Sequence, residues 1–402
     1  MNAVGIDISK GRSTVAVMRP FGEVVISPFE VHHTDSELSA LAKRLKSLNG
    51  ETRVIMEATG NYHMPVAQML HNAGLYVTVV NPKLVHGYGN NELRRVKTDR
   101  KDAVKLANYG IDRWLTLPRY IPEENIRLLL KNCYRQYRQY SKVQTVLKNN
   151  LISLLDTVFP NANRLFTSPA RIDGSEKWVD FIAEFWHCEC ISEHSEKAFT
   201  NKYQRWCKKH GYYFSTTKAH SIYAAACEHI GCMPRSSTTK LLVAQAVSQL
   251  RATSAALAAL KNEMQALASQ LPEYSVVMRM FGVGDTLGPQ LMAEIGDVRR
   301  FYSKKALVAY AGIDAPPNDS GDVVGRYKRM SKIGTSSLRR TLFLVMGIYL
   351  QRAPLNEPIY QFMDRKRAEG KPYLVYMMAS ANKFLRIYYA TVKAHLESLE
   401  QA

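Results

Sequence analysis

The stretch "TTKLLVAQAVSQLRATSAALAALKNEMQALASQLP" constrains the fold more than any other part of the chain. It is free of glycine, and proline enters only as its last residue. Ala244, Val247, Leu250, Ser254, Leu257, Leu260, Met264, Leu267 and Leu271 recur at steps of three and four. A helix of that length runs about 50 Å, and a seam so narrow is covered only by a second helix along its whole length. The chain offers one earlier, "IRLLLKNCYRQYRQYSKVQTVLKNNLISLLDTVFP", which stops at Pro160. The two are expected to pair as a coiled coil, with each other or across subunits. Residues 165–237 lie between them, rich in aromatics and holding five of the six cysteines, and read as an insertion packed beside the pair.

Ahead of this helical region the apolar period changes from helical to two. "AVGIDIS" and "RSTVAVMRP", joined at Lys10-Gly11, read as a hairpin and "GEVVISPFEV" as a third strand. "TDSELSALAKRLKSLN" opens with a capping box, Thr34 at the N-cap and Glu37 three residues on. "RVIMEATG" and "YVTVVNP" are short strands separated by the helix "MPVAQMLHNAG", and a further helix follows. Three meandering strands followed by β-α units predict an α/β mixed sheet with helices on both faces. The last third reads as mostly helical. An apolar helix runs into Gly282-Val283-Gly284 and a second helix follows, a helix-hairpin-helix-like element whose turn can approach a phosphate. A Pro-, Asp- and Gly-rich loop, a basic stretch and an apolar helix from about Thr335 come next. The expected organisation is a sheet domain over 1–115, coiled-coil helices over 116–164 and 238–272, the insertion over 165–237, and a C-terminal domain over 273–402.

The 402 residues carry 54 Lys+Arg against 35 Asp+Glu, a formal charge of +19. Such a balance points to a polyanionic partner, nucleic acid before an anionic membrane. No apolar run approaches the ~20 residues of a spanning helix, no signal peptide opens the chain, and the cysteine spacing suggests no disulfide framework. A cytoplasmic, nucleoid-associated protein is expected.

Two aspartates stand out inside "KTDRKDA" because lysines and arginines crowd around them. Asp99 and Asp102, at i and i+3, share one helix face. Asp7 sits within the first strand and Glu57 ends the fourth, where ligands of α/β sheets collect. If the fold brings these four carboxylates together, their oxygens suit Mg2+ or Mn2+, and two such ions can clamp the attacking and leaving oxygens of a phosphodiester. Each has a plainer use: a strand-end carboxylate on backbone N–H groups, a cap for the helix near Asn61, or surface ion pairs. Two basic clusters suit phosphate contacts: Arg94, Arg95, Lys97, Arg100 and Lys101 around the aspartates, and Arg326, Lys328, Arg329, Lys332, Arg339 and Arg340 further on. Tyr134, Tyr137 and Tyr140 repeat every third residue as packing residues do. His187, Cys188, Cys190, His194, Cys207 and His210 do not match zinc-ligand spacing and read as ordinary core and surface groups.

Taken together, "GIDISK", "EATGNY" and "NP…K…K.TDRKDA" resemble the N-terminal RuvC-like (RNase H-like) domain of the DEDD transposases of bacterial insertion sequences. "GVG…AEIGD…RF…L..YAGI…SG…SKIG…LRR" resembles the same family's C-terminal signature. The likeness spans roughly residues 1–115 and 275–345. It implies a DNA transposase or recombinase that exchanges strands of a donor and a target, with a structured bridge RNA as guide. It places the family's metal-binding D, E, D, D positions at Asp7, Glu57, Asp99 and Asp102. It also implies a nucleophilic serine forming a covalent phosphoserine link, at Ser320 in "PPNDSGD", with Ser331 the next candidate and Ser336 and Ser337 nearby. The family commonly shows Ser-Ser-Gly where this chain has Asp319-Ser320-Gly321. A serine hydroxyl needs activation, and no histidine lies in the segment, so a metal site on another domain or subunit is expected to supply it. Assembly as a dimer or tetramer through the coiled coil follows from this reading.

Three other readings compete. A RuvC-like metal nuclease would cut with the carboxylates alone, and an RNA-binding coiled-coil scaffold would need none of them. A sugar-kinase-type ATPase is argued against by Ile8-Ser9, where that family's first phosphate loop has glycine after the aspartate.

Overall fold

The structure is a computed structural model that describes residues 1–88, 98–229, 231–315 and 330–401. The chain divides into two compact units, residues 1–122 and 123–402.

The first unit is built on β1 (Asn2–Ile8), β2 (Arg12–Met18), β3 (Val24–His32), β4 (Thr52–Glu57) and β5 (Tyr76–Val80), in the order β3-β2-β1-β4-β5. β2 is antiparallel to β1 and β3, whereas β1, β4 and β5 run parallel. This is the mixed five-stranded sheet expected, consistent with an RNase H-like fold. Strand alternation sends Val4 and Ile6 to one face, where α1 (Asp35–Lys46) and α2 (His63–Asn72) cover them with Leu38, Leu41, Leu45, Val66 and Leu70. The start of α1 departs from a simple capping box. Thr34 Oγ1 accepts from Glu37 N at 3.4 Å, but Glu37 Oε2 reaches past the N-cap to His32 N at 2.7 Å, tying the helix to the end of β3. After the short α3 (Pro82–His86), α4 (Asp99–Asp112) packs Leu106 and Ala107 on the opposite face against Ala3, Met18 and Ile55.

The contact between α4 and β1 is a backbone contact. A Cβ on Gly5 would lie 1.9 Å from Ala103 O and 2.5 Å from Ala107 N, and one on Gly110 would lie 2.4 Å from Ile55 Cδ1. Only hydrogen fits at these crossings, so the glycines set how closely the helix lies on the sheet.

In the second unit α5 (Asn125–Val158) and α10 (Ser237–Ser269) lie antiparallel as a spine between two cores. Of the seam residues of α10, Val247, Leu250, Ser254, Leu257, Met264 and Leu267 are buried within this chain, Leu260 is half-buried and Ala244 is exposed. Gln144 donates to Ser254 Oγ at 2.9 Å across the middle of the pair. At one end of the spine Leu151, Leu155, Val243 and Val247 join the aromatic core of the insertion, carried by α6 (Lys177–Glu184), α7 (Glu189–Ser192), α8 (Glu196–His210) and α9 (Thr216–Glu228). At the other end Leu130, Tyr134, Met264 and Leu267 join α11 (Tyr274–Met278), α12 (Leu287–Ile295), α13 (Lys304–Ala311), α14 (Ser336–Arg352), α15 (Pro358–Ala368) and α16 (Tyr373–Gln401). Tyr134 is buried, with its hydroxyl 2.9 Å from Thr341 Oγ1, and Tyr137 packs on the same core, as packing residues should. A buried ion pair joins the start of α5 to Glu273, with Arg127 Nη2 to Glu273 Oε2 at 3.0 Å.

Gly5→Ala is expected to lift α4 from β1 and destabilise the first unit by about 3 kcal/mol or more, the upper range for overpacking. A lowered urea midpoint for that unit checks it, whereas an unchanged midpoint would show that the helix has room to move.

Candidate active site

Asp7 and Glu57 leave the sheet side by side. The parallel register of β1 and β4 runs to Ile6 opposite Met56, so Asp7 and Glu57 stand one step further on. Asp7 shares the face of Ala3 and Gly5, and Glu57 that of Ile55, which is the face under α4. Along the sheet, Ala3 lies at Gly110 and Gly5 at Ala103 and Ala107, so helix and strand run in opposite senses. Two strand residues beyond Gly5 is ~6.6 Å, and four helix residues back from Ala103 is ~6 Å. The first turn of α4, with Asp99 and Asp102, therefore lies over the edge from which Asp7 and Glu57 emerge. Thr98 caps this turn, its Oγ1 accepting from Lys101 N at 3.3 Å, and both aspartates favour the positive end of the helix dipole. Asp7, Glu57 and Asp102 are half-buried and Asp99 is exposed.

The donor set is carboxylate oxygen, the chemistry of a hard divalent cation. Among the described residues, no three His, Cys, Asp or Glu side chains are grouped tightly enough to hold a metal ion as they stand. The N-cap of α2 is Tyr62, whose own side chain makes no cap bond. His63 opens α2 six residues after Glu57. Burial lowers its pKa, against the pull of the Thr59 and Gly60 carbonyls. Arg100 and Lys101 are exposed at the same turn, while Arg94, Arg95 and Lys97 lie outside the described residues.

In the second unit Ser320, Arg326, Lys328 and Arg329 likewise lie outside the described residues. Residues 310–314 and 331–335 form a clasp. Ser331 N donates to Asp314 O at 2.9 Å, Lys332 N to Gly312 O at 3.1 Å and Thr335 N to Tyr310 O at 2.8 Å. The Ser331 hydroxyl also donates to the Asp314 carboxylate. The two sides of the clasp touch through glycine, because a Cβ on Gly334 would lie 1.9 Å from Tyr310 O and 2.5 Å from Gly312 N. Below it, Thr335 Oγ1 donates to the buried Glu294 at 2.7 Å. Arg339 is half-buried and spends its guanidinium on the Ala311 and Gly334 carbonyls, at 2.9 and 3.1 Å. Lys332 and Arg340 are exposed, Ser336 is exposed, and buried Ser337 accepts from Arg138. Asp314 and Glu294 escaped the sequence reading. Their one signal is position: Glu294 stands two residues before Gly296 at the end of apolar α12, and Asp314 two residues after Gly312, just past the end of α13.

Two of the histidines among the zinc candidates have other partners. His187 Nε2 lies 3.1 Å from Met233 O, His210 stacks on Trp206 and Tyr212, and all six cysteines are free thiols.

Comparison with known proteins identifies the class of protein to which this arrangement belongs. Residues 4–160 match the DEDD transposases of the IS110 type, described as "Transposase", and residues 274–361 match the "Transposase IS116/IS110/IS902 family". The chain belongs to this family of transposases, with the DEDD domain at its N-terminal end and the second transposase domain at its C-terminal end. Among its relatives is the "Pilin gene-inverting protein" of Moraxella bovis, 23% identical over 341 residues, which are 85% of this chain and 80% of the relative. The "Insertion element IS110 uncharacterized 43.6 kDa protein" of Streptomyces coelicolor is 21% identical over 97% of this chain and 93% of its own length. Among the described residues no helix is long and apolar enough to cross a membrane.

Gly334→Ala is expected to open the clasp and abolish strand transfer without altering the unfolding of the 1–122 unit. Strand-transfer assays beside a two-transition melt test this, and retained transfer would show that the clasp is dispensable.

Proposed function

We propose that this transposase cuts and rejoins DNA through Ser320, assisted by the carboxylates Asp7, Glu57, Asp99 and Asp102. Ser320 Oγ forms a bond to a backbone phosphorus, the bond from phosphorus to the leaving sugar oxygen breaks, and the protein stays attached to the DNA as a phosphoserine ester. The serine proton is lost as the bond forms, and the sugar oxygen that departs takes one up. The reverse attack by a new sugar hydroxyl rejoins the strand and frees the serine. No water consumes the phosphodiester, so strand exchange needs no outside energy source.

The observation that carries this reading is the shared edge of Asp7 and Glu57 beneath the first turn of α4. Bound there, Mg2+ or Mn2+ would neutralise phosphate charge and lower the cost of ionising an approaching hydroxyl. The exposed Arg100, Lys101, Lys332 and Arg340, with Arg94, Arg95, Lys97, Arg326, Lys328 and Arg329, would hold the backbone in place. Arg339, committed to two carbonyls, supports the clasp instead. A structured guide RNA choosing donor and target is part of the proposal, since no base-reading motif is present in the sequence. So is assembly into a dimer or tetramer. Because the α10 seam is covered by α5 of the same chain, assembly would use the outer faces of that pair.

The test is the state of the DNA after denaturation. Wild type with Mg2+ should leave a protein–DNA adduct that Ser320→Ala loses altogether and that Asp7→Ala or Asp102→Ala reduces by at least about a hundredfold. Free ends without adduct in both wild type and Ser320→Ala would instead identify a metal nuclease. RNA sequenced from the purified protein should be one defined transcript, and a random cellular mixture would count against guidance.

A further inference from the structure

The insertion lies outside both family matches, which end at residue 160 and resume at 274. Its charges are sorted by sequence. From 178 to 196 it holds Asp180, Glu184, Glu189, Glu193 and Glu196 without a lysine or arginine. From 197 to 218 it holds Lys197, Lys202, Arg205, Lys208, Lys209 and Lys218 without an acid. α8 turns this sorting into a surface. Phe199, Tyr203, Trp206 and Cys207 face the core, and Lys197, Asn201, Gln204, Arg205, Lys208 and Lys209 are exposed on the other side.

A solvated helix usually mixes signs, and its cations find acids at i+3 or i+4. Here Glu196 is taken by His220 and Glu193 by Arg235, and among the described residues Lys197, Arg205, Lys208 and Lys209 form no ion pair. The helix dipole explains Lys208 and Lys209 in the last turn but works against Lys197 in the first. Past the end of α8 the positive charge continues. Lys177 lies 5.1 Å over the Tyr212 ring and Lys218 5.5 Å over Phe166, whereas Arg171, 4.0 Å over Tyr212, donates to the His210 and Gly211 carbonyls at 2.9 and 3.0 Å and holds the end of α8. The acids beside them are occupied: Asp180 accepts from Tyr212 and Arg251, both at 2.6 Å, and Glu176 from Lys148 at 2.7 Å. Burial first, then its proximity to Lys218 and Arg171, lowers the pKa of Lys177, opposed by Cys207. A surface that keeps like charges together with their neighbouring acids spent elsewhere is suited to an anion.

We propose that the outer face of α8, continued by Lys218, is a docking surface for the phosphate backbone of duplex DNA, outside the site where strands are exchanged. Lys197 to Lys209 spans about 18 Å of helix, the rise of about five base pairs. Lysine ammonium groups, three of the four cations on this face, contact phosphate as point charges, and phosphate contacts carry no sequence information. Duplex rather than looped RNA fits because the insertion's rings are turned inward. Phe181, Phe185, Phe199, Tyr203 and Trp206 are buried, and Tyr213 alone of the larger rings is fully displayed, at 85% exposure. Recognition of looped RNA depends on displayed rings. The surface would hold DNA flanking the exchanged sequence.

The full-length protein carrying Lys197→Gln, Arg205→Gln, Lys208→Gln and Lys209→Gln tests it, with a thermal melt to show that these exposed changes leave the fold intact. Binding to a duplex of arbitrary sequence is measured across a salt series. The log–log salt slope should become shallower by about three to four, near 0.9 for each phosphate that the variant no longer neutralises. The variant with arginine or lysine exchanged at the same four positions should keep the wild-type slope. An unchanged slope in the glutamine variant would overturn the proposal, as would a weakening confined to structured RNA. The readout is binding alone, so it stands whether or not Ser320 is the nucleophile.

Discussion

The crossing of α4 over β1 is the contact on which the arrangement of the first unit's carboxylates depends. Gly5 offers no side chain and Ala103 presents its carbonyl directly, so helix and strand meet at a distance that no larger residue permits. Closeness matters here because a carboxylate side chain is short. An aspartate on the first turn of α4 can share an ion or a phosphate with Asp7 only if the helix lies low on the sheet. A side chain at position 5 would hold Asp99 and Asp102 away by the thickness of a methyl group. The apolar packing of Leu106 and Ala107 supplies adhesion, whereas the glycine sets the spacing.

The second unit solves a related problem in the same way. Gly312 and Gly334 let two backbone segments touch, and the hydrogen bonds from Ser331, Lys332 and Thr335 fasten them. Arg339 closes the arrangement by binding a carbonyl on each side. Its charge is needed where it cannot move, next to carbonyls that burial would otherwise leave unsatisfied. The clasp fixes residues 310–314 against 331–335, and the proposed nucleophile lies between these two segments in the sequence. The α5–α10 spine carries this arrangement, and buried Arg127 and Glu273 pin its end, a pairing whose cost of disruption, about 3–5 kcal/mol, exceeds that of most surface contacts.

Much of this was legible from the residues. The order of strands and helices in the first unit, the two long helices and the helix from Thr335 follow from period, caps and breakers, which are local signals. The strand edge shared by Asp7 and Glu57 stayed conditional on the fold, because the parallel pairing of β1 with β4 is not a local signal. The depth of α4 on the sheet was not legible, because Gly5 in a strand is equally compatible with a bulge or a weak point. Arg339 read as a phosphate contact and proves to hold carbonyls, since sequence shows a charge without showing what already occupies it. Asp314 was passed over for the same reason: its partner Ser331 lies seventeen residues away, beyond any local pattern.

Occupancy also separates the basic residues that could meet DNA from those that cannot. Arg127, Arg251 and Arg339 are each committed to an acid or a carbonyl, and their charge serves the fold. Among the described residues Lys197, Lys208 and Lys209 form no ion pair and are exposed, Arg205 reaches only the Asn201 carbonyl of its own helix at 3.4 Å, and their mutual repulsion is a standing cost to the folded chain. Alternating their signs would remove that cost without touching the aromatic face of α8. A helix that retains it gains nothing in stability, so the gain has to come from a partner that arrives with the opposite charge.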